Sequence, residues 1–361
     1  MHWYQALVLG RLGKRNCLIS RVNESRSVGT VLVTGGTGQI GSYVCRELLE
    51  RGHQVVVYDV NPNLDNLGDI SSRVKVVNGD TTDFDELVGT IRKQGVTHVI
   101  HLAAMIVLES KNRPAKAVRV NCVGATNVFE AARHLDLARV IFASSVAVYG
   151  RPDAYPNLLV GEDDPPRCPP DPYSVTKFLA EMYGQYYRET YGLDLFCFRI
   201  AAAWGPGRYS GYTGQFNAFV RDAALGKIIK FPRDFAYSGS KLRWLYVKDI
   251  ARAFVYGVEL ETEKIKRPLY NLGNRDPFKA SDVLDNLKRI LPNLSVEFEE
   301  TNEPTDLSLG IAGPSGLDVD CGRLYDELGF REAFALDKGL WDMVNLEKSK
   351  ESKASPVHTS G

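Results

Sequence analysis

The chain has 361 residues, enough to bury a full-sized core as one large domain or two coupled lobes, so a small fold that depends on staples is excluded. Its 44 Lys and Arg residues balance 44 Asp and Glu residues, and nothing in the overall charge points to nucleic acid or an anionic membrane. The six cysteines (Cys17, Cys45, Cys122, Cys168, Cys197 and Cys321) are scattered, without metal-site or disulfide-framework spacing, which indicates buried thiols in a reducing, cytoplasmic compartment. No run approaches the roughly 20 apolar residues needed to span a bilayer.

Residues 1–29 carry five basic residues against one acid and lack the small-residue ending of a secretory signal. They read as an N-terminal extension or upstream start. TVLVT at 30–34 is then a strand, followed by a glycine turn and a helix near 39–51. QVVVY at 54–58, VKVV at 74–77 and HVIHLA at 98–103 are further strands, a helix follows near 114–134, and RVIFAS at 139–144 continues the alternation. DPYSVTKFLAE opens a helix, with Asp171 as cap and Pro172 at the first helical position, and LDLFCFRI at 193–200 is the next strand. Short apolar strands separated by helices predict a doubly wound α/β fold, a Rossmann-type parallel sheet covered on both faces. Beyond it, helices are expected at 215–226, 282–291 and within 320–330, and a strand at 242–247. This divides the chain into a nucleotide-binding region at 30–199, a smaller C-terminal substrate-binding lobe at 200–345 that partly returns to the core, and a disordered polar tail at 346–361.

In VLVTGGTGQIGSYV, Gly35, Gly38 and Gly41 fall between a strand and a helix, and Gln39 and Ile40 lie at the start of that helix. Glycines there let a pyrophosphate approach the exposed amides of a helix N-terminus. Asp59 ends the second strand, where its carboxylate can accept the ribose hydroxyls of adenosine and repel a 2′-phosphate, which favours NAD over NADP. Asp80 in VVNGD is a candidate for the adenine amino group or for a turn. Ala103 and Ala104 leave room for the cofactor at a strand end, and Asn121 is placed to orient a site water or satisfy a buried backbone group. His98 and His101 have no ligand set around them, so no metal is assigned.

Ser145 follows the fifth strand at the carboxyl edge of the sheet, and Tyr173 and Lys177 share one helix face. A tyrosine with a free pKa of about 10 needs nearby positive charge to act near neutrality, and Lys177 is the expected source. Tyr173 would take the proton of a secondary alcohol as NAD accepts the hydride, Ser145 would hold the substrate oxygen, and Lys177 would also bind the nicotinamide ribose.

With TGGTGQIG, Asp59, NGD, HLAA, SSVAVYG and YSVTK in place, the chain resembles the extended short-chain dehydrogenase/reductase family, which includes NAD-dependent epimerases and dehydratases; the resemblance runs over roughly 30–330. RIAAAWGPG at 199–207 and YVKDIARA at 246–253 resemble later segments of that family. The resemblance implies an NAD-binding region, a substrate lobe, and room for a homodimer through helices flanking the sheet, including the one bearing Tyr173.

Departures from the family pattern narrow the chemistry. Ala202 stands where many nucleotide-sugar enzymes of the family place a diphosphate-binding asparagine. Leu242 occupies the usual arginine position seven before Asp249, with Arg243 displaced by one. No acidic pair adjoins Ser144 and Ser145, which disfavours dehydration. The expectation is an NAD-dependent dehydrogenase or reductase acting on a small alcohol, ketone or sugar-like substrate. A sugar or nucleotide-sugar epimerase is the alternative, and a noncatalytic NAD-responsive binding protein a further one. Arg199 and Arg208 are candidates for a substrate carboxylate or phosphate, Trp204 and Tyr212 for a sugar-facing wall, and Arg243 for a further contact.

Overall fold

The structure, a computed structural model, describes residues 28–168, 170–237, 241–299 and 317–354. Most of the N-terminal extension, with Cys17, lies outside the described residues. Seven parallel strands form the central sheet: β1 (Thr30–Thr34), β2 (Gln54–Asp59), β3 (Lys75–Asn78), β4 (His98–His101), β5 (Arg139–Ser145), β6 (Leu195–Ile200) and β7 (Leu269–Leu272). Their spatial order is β7-β6-β5-β4-β1-β2-β3. The chain winds outward from β1 to β3, then crosses back to lay β4 on the other side of β1, in register Thr34 to His101. The carboxyl ends of β1 and β4 therefore flank the topological switch point, where an open parallel sheet leaves a crevice for ligand.

Alternation along each strand feeds two cores. Val31, Val33, Val55, Val57, Ile100, Ile141, Phe196 and Phe198 pack on one face with Val44 and Leu48 of α1 (Gln39–Glu50). Leu32, Val56, Val99, Val140, Phe142 and Leu195 pack on the other, beneath α2 (Phe84–Gln94) and α3. Helix α3 runs continuously through Pro114–Ala117, a π turn at Val118–Val123, and Gly124–His134. Helix α4 (Pro172–Tyr191) lies on the same side and passes close to β6: a methyl group added at Gly184 would stand 2.9 Å from Leu195. Both sheet faces are thus sealed by apolar side chains, and the near-continuous hydrophobic strands follow from that double burial.

A third core, around Trp204, Phe216, Phe231, Trp244, Tyr246 and Leu340, builds the smaller lobe. It gathers α5 (Tyr212–Ala224), α7 (Ala280–Ile290) and α8 (Leu336–Ala354) with short two-stranded ribbons, whereas α6 (Val247–Glu259) adds only Val247 to it and packs Ile250, Ala251, Phe254 and Val255 into the first core beside α1. Several expectations change here. The strand at 242–247 shortens to Leu245–Tyr246, because Val247 already opens α6, and the helix within 320–330 covers only Gly322–Asp326. The tail expected to be disordered from residue 346 is helical as far as Ala354. Buried Glu347 accepts a hydrogen bond from Tyr209 at 2.6 Å, which ties this polar stretch to the lobe. Residues 355–361 lie outside the described residues.

Candidate active site

The glycine turn closes onto the switch point. Gly35 has φ +67°, and a methyl group there would stand 3.0 Å from the backbone of Ala103. At Gly41 a methyl group would stand 2.2 Å from the carbonyl oxygen of Gly35, so only glycine lets α1 start this close to the turn. Gly38 is the N-cap of α1, no side chain caps the helix, and its first turn carries no acid. The amides around Gln39, Ile40 and Gly41 are therefore left for an anion. Ile40 packs its side chain against the cores of both lobes, while Gln39 Nε2 donates to the carbonyl of Gly205 at 2.8 Å and joins the lobes across the turn.

Asp59 is organised from this loop. Thr37 donates to its Oδ2 through the hydroxyl at 2.6 Å and the amide at 3.3 Å, and the amide of Asn61 donates to Oδ1 at 3.2 Å. Asn66 in turn donates to the carbonyl of Thr37 at 2.7 Å. The uncapped helix, the side-chain-free cradle and an oriented carboxylate at the end of β2 fit a dinucleotide such as NAD. Asp80 forms a turn, accepting from the amide of Thr82 at 2.9 Å. Below Ala103 and Ala104, Thr34 Oγ1 accepts from the amides of Leu102 and Ala103 at 3.2 Å each, so its own proton goes to His101 Nδ1 at 2.7 Å. His101 is stacked on Phe142, and burial, with the Lys177 charge, holds its pKa down at about 3. It is a neutral structural residue, and among the described residues no cluster of three or more His, Cys, Asp or Glu is arranged to hold a metal.

Helix α4 starts as its sequence implies: Asp171 Oδ1 accepts from the amides of Tyr173 and Ser174 at 3.1 Å each, and Pro172 occupies the first turn. This aims Tyr173 and Lys177 at the end of β5. Burial raises the Tyr173 pKa, while a hydrogen bond with Ser145 and the positive charge of Arg208 draw it back. Lys177 is 3% exposed, its Nζ donates to the carbonyl of Ala143 at 2.7 Å, and it lies 5.9 Å from the centre of the Tyr173 ring. Burial pulls its pKa down to about 8, opposed chiefly by the Glu181 carboxylate one helical turn on. Ser145, Tyr173 and Lys177 thus converge at the carboxyl edge of the sheet, with Arg208 as an additional cation acting on the tyrosine.

Four expected ligand contacts are occupied within the protein. Asn121, in the π turn and 1% exposed, accepts from the amide of Met105 at 2.8 Å and donates to the Met105 carbonyl and Thr176 Oγ1 at 3.0 Å each. It locks the loop after β4 to α4, and its direct contact with cofactor is corrected to this positioning role. Arg199 is buried and gives a two-pronged ion pair to Glu181, Nε at 3.0 Å and Nη2 at 2.7 Å, with its guanidinium 4.8 Å from the centre of the Tyr149 ring. Its substrate role is therefore corrected to a buried structural pair. Trp204 is buried against Phe216 and Tyr246, so it belongs to the lobe core and forms no sugar-facing wall. Arg243 donates to Asp318 at 2.7 and 3.3 Å and to the carbonyl of Arg275, which ties the lobe's segments together and commits its guanidinium away from a ligand. The side chain of Tyr212 lies outside the described residues.

Arg208 differs from these. Its Nη2 donates to Thr213 Oγ1 at 2.5 Å, its Nε is buried without a hydrogen-bond partner, and it joins no ion pair among the described residues. Thr37 and Glu181 were not anticipated. Thr37 is the non-glycine residue inside the turn, and Glu181 repeats the four-residue spacing of Tyr173 and Lys177; both signals were available only with the site as context. Glu181 accepts from Ser144 as well as from Arg199, so the residue next to Ser145 is anchored from behind.

Known proteins are similar to this chain over most of its length. Residues 31–273 match the model of the NAD dependent epimerase/dehydratase family. A UDP-glucose 4-epimerase of Halalkalibacterium halodurans is 31% identical over 274 residues, covering 72% of this chain and 80% of that protein. Among solved structures, the L-threonine dehydrogenase of Clostridium difficile aligns over 90% of this chain and 98% of its own, with a TM-score of 0.77 and 24% identity. The UDP-glucose 4-epimerase of Thermotoga maritima, solved with UDP-glucose, aligns over 89% and 99%, with a TM-score of 0.74 and 23% identity. With its glycine cradle and Ser-Tyr-Lys cluster, and with two thirds of its length matching the family model, the chain belongs to the NAD-dependent epimerase/dehydratase family of extended short-chain enzymes and uses NAD as its cofactor.

Proposed function

We propose that this enzyme oxidises a secondary alcohol, or reduces the corresponding ketone, with Tyr173 as the acid-base group. The observation that carries the reading is the meeting of Ser145, Tyr173 and Lys177 beside a cradle fitted to a dinucleotide. NAD supplies the hydride acceptor. Tyr173, as phenolate, takes the hydroxyl proton while the carbon–hydrogen bond gives up its electron pair, and in reduction the phenol returns that proton. Ser145 holds the substrate oxygen; Lys177 reaches the ribose and keeps positive charge near the phenolate. Gly35, Gly38, Gln39, Ile40 and Gly41 receive the pyrophosphate, Asp59 the adenosine ribose and Asp80 the adenine, with Ala103 and Ala104 beneath the cofactor.

A second reading is epimerisation of a nucleotide sugar, favoured by the relative from Halalkalibacterium halodurans, which is named a UDP-glucose 4-epimerase. Against it stand Ala202, packed into the lobe, and Arg199 and Arg243, both paired with carboxylates. Incubating the purified protein with NAD or NADH and a metabolite extract, then following absorbance at the NADH band and product masses, separates the two. Net NADH change with a new carbonyl or alcohol product supports the oxidoreductase. Exchange of stereochemistry in UDP-glucose without net NADH would establish the epimerase.

The five cysteines in the described residues are unpaired and largely buried, which supports a reducing, cytoplasmic setting. No helix among the described residues is long and apolar enough to cross a membrane. Val175, Leu179, Met182, Tyr183 and Tyr186 form one exposed apolar stripe on α4, beside exposed Val118 and Val123 of α3. This stripe supports a homodimer, and Met182→Glu should reduce the molar mass seen by light scattering to that of one chain.

A further inference from the structure

We infer that Arg208 is the receptor for a compact anionic group, a carboxylate or a phosphate monoester, that the substrate carries close to its reacting carbon. This deepens the oxidoreductase reading and rests on it.

The backbone that presents Arg208 is held from two directions. Asn217, wholly buried, accepts from the amide of Gly205 at 2.8 Å and donates to the carbonyl of Arg208 at 2.9 Å. Gln39, at the start of α1, donates to the carbonyl of Gly205 at 2.8 Å. The loop therefore sits across the glycine turn, against the start of α1. A guanidinium offers five N–H donors in a plane. Here one serves Thr213, itself buried, while among the described residues the buried Nε–H has no acceptor and no carboxylate answers the charge.

Elsewhere in the protein the same residue type is balanced: Arg199, in the central sheet, by Glu181, and Arg243, in the lobe, by Asp318. A desolvated, unpaired cation raises the free energy of the folded state unless an anion arrives, and a planar donor set suits a carboxylate or phosphate. Because Arg208 acts on Tyr173, that anion lies near the hydroxyl that moves the proton. A diphosphate held farther out in the lobe would call on Arg243, which Asp318 already engages.

The test uses the full chain saturated with NADH, titrated calorimetrically with oxamate and, separately, with inorganic phosphate, beside Arg208→Gln. At least one probe should bind the parent about tenfold or more tighter than the variant, the size of one charge-assisted hydrogen bond. NADH affinity should be unchanged, and the preferred probe identifies carboxylate or phosphate as the source. Equal affinity in both proteins, binding of neither probe, or a parallel loss of NADH affinity would overturn the assignment. Failure of the oxidoreductase reading looks different: the probes still bind through Arg208, but no substrate yields NADH in a Tyr173-dependent way.

Discussion

Behind the face that carries Tyr173 and Lys177, charges are paired, although Arg199 Nη1 is buried without a hydrogen-bond partner among the described residues; in front of it, they are left open. On the buried side Glu181 receives Ser144 and both prongs of Arg199, Arg199 lies over Tyr149, and the Tyr149 hydroxyl donates to Asn271 at 2.9 Å. On the open side the first amides of α1 are uncapped and Arg208 has no ion-pair partner among the described residues. The difference separates the two uses of a charge in one protein. A pair closed inside the fold positions its neighbours, whereas a charge left uncompensated at a crevice is a demand for ligand.

The largest expected effect breaks the open side. Tyr173→Phe should lower kcat by roughly 10²- to 10⁴-fold while NAD binding, followed by fluorescence titration, is retained, because only the proton-transferring hydroxyl is lost. An unchanged rate with full cofactor occupancy would remove Tyr173 from the mechanism.

Next comes the closed side. Arg199→Met strands the Glu181 carboxylate and should cost about 3–5 kcal/mol in urea unfolding, while adding Glu181→Leu should recover most of that loss. If the double variant were no better than the single one, Arg199 would be acting through packing alone and the paired-charge account would fail.

Lys177 offers a pH-dependent test of the same boundary. Its folded pKa of about 8 lies below the ordinary 10.5, so between those values the unfolded chain binds more protons than the folded one. Stability relative to Lys177→Met should therefore rise with pH across that window, by on the order of 3 kcal/mol, and level off above it. A difference that stays flat from pH 8 to pH 10.5 would mean the ammonium is not destabilised by burial.

The smallest effect sharpens the contrast between the two arginines. Arg208→Met, which removes a charge with no counterion among the described residues, should leave stability unchanged or raise it by about 0.5–1 kcal/mol, in the pattern expected when a binding group is maintained at the expense of the fold. A loss comparable to that of Arg199→Met would show that Arg208 is structural.

The alternating strands and helices were legible because double burial of a parallel sheet writes itself into the chain as short apolar runs. The last strand, Leu269–Leu272, was not, since Asn271 interrupts its apolar pattern; that asparagine is buried and donates to the carbonyl of Asp320 at 2.8 Å, a partner distant in sequence. Expected disorder after residue 346 failed for the same reason, because Glu347 is polar in composition but buried beside Tyr209.

At the site, the sequence by itself determined the glycine turn, the acidic end of β2, and the spacing of Tyr173 and Lys177, because backbone freedom, strand periodicity and helical repeat are local properties. Which arginines are free was decided only by tertiary structure. Arg199, Arg208 and Arg243 carry the same charge and looked equivalent as candidates, yet Glu181 and Asp318 neutralise two of them from other elements. The functional value of a charge depends on the company it keeps in space, and that is set by the packing of the two lobes around the crevice.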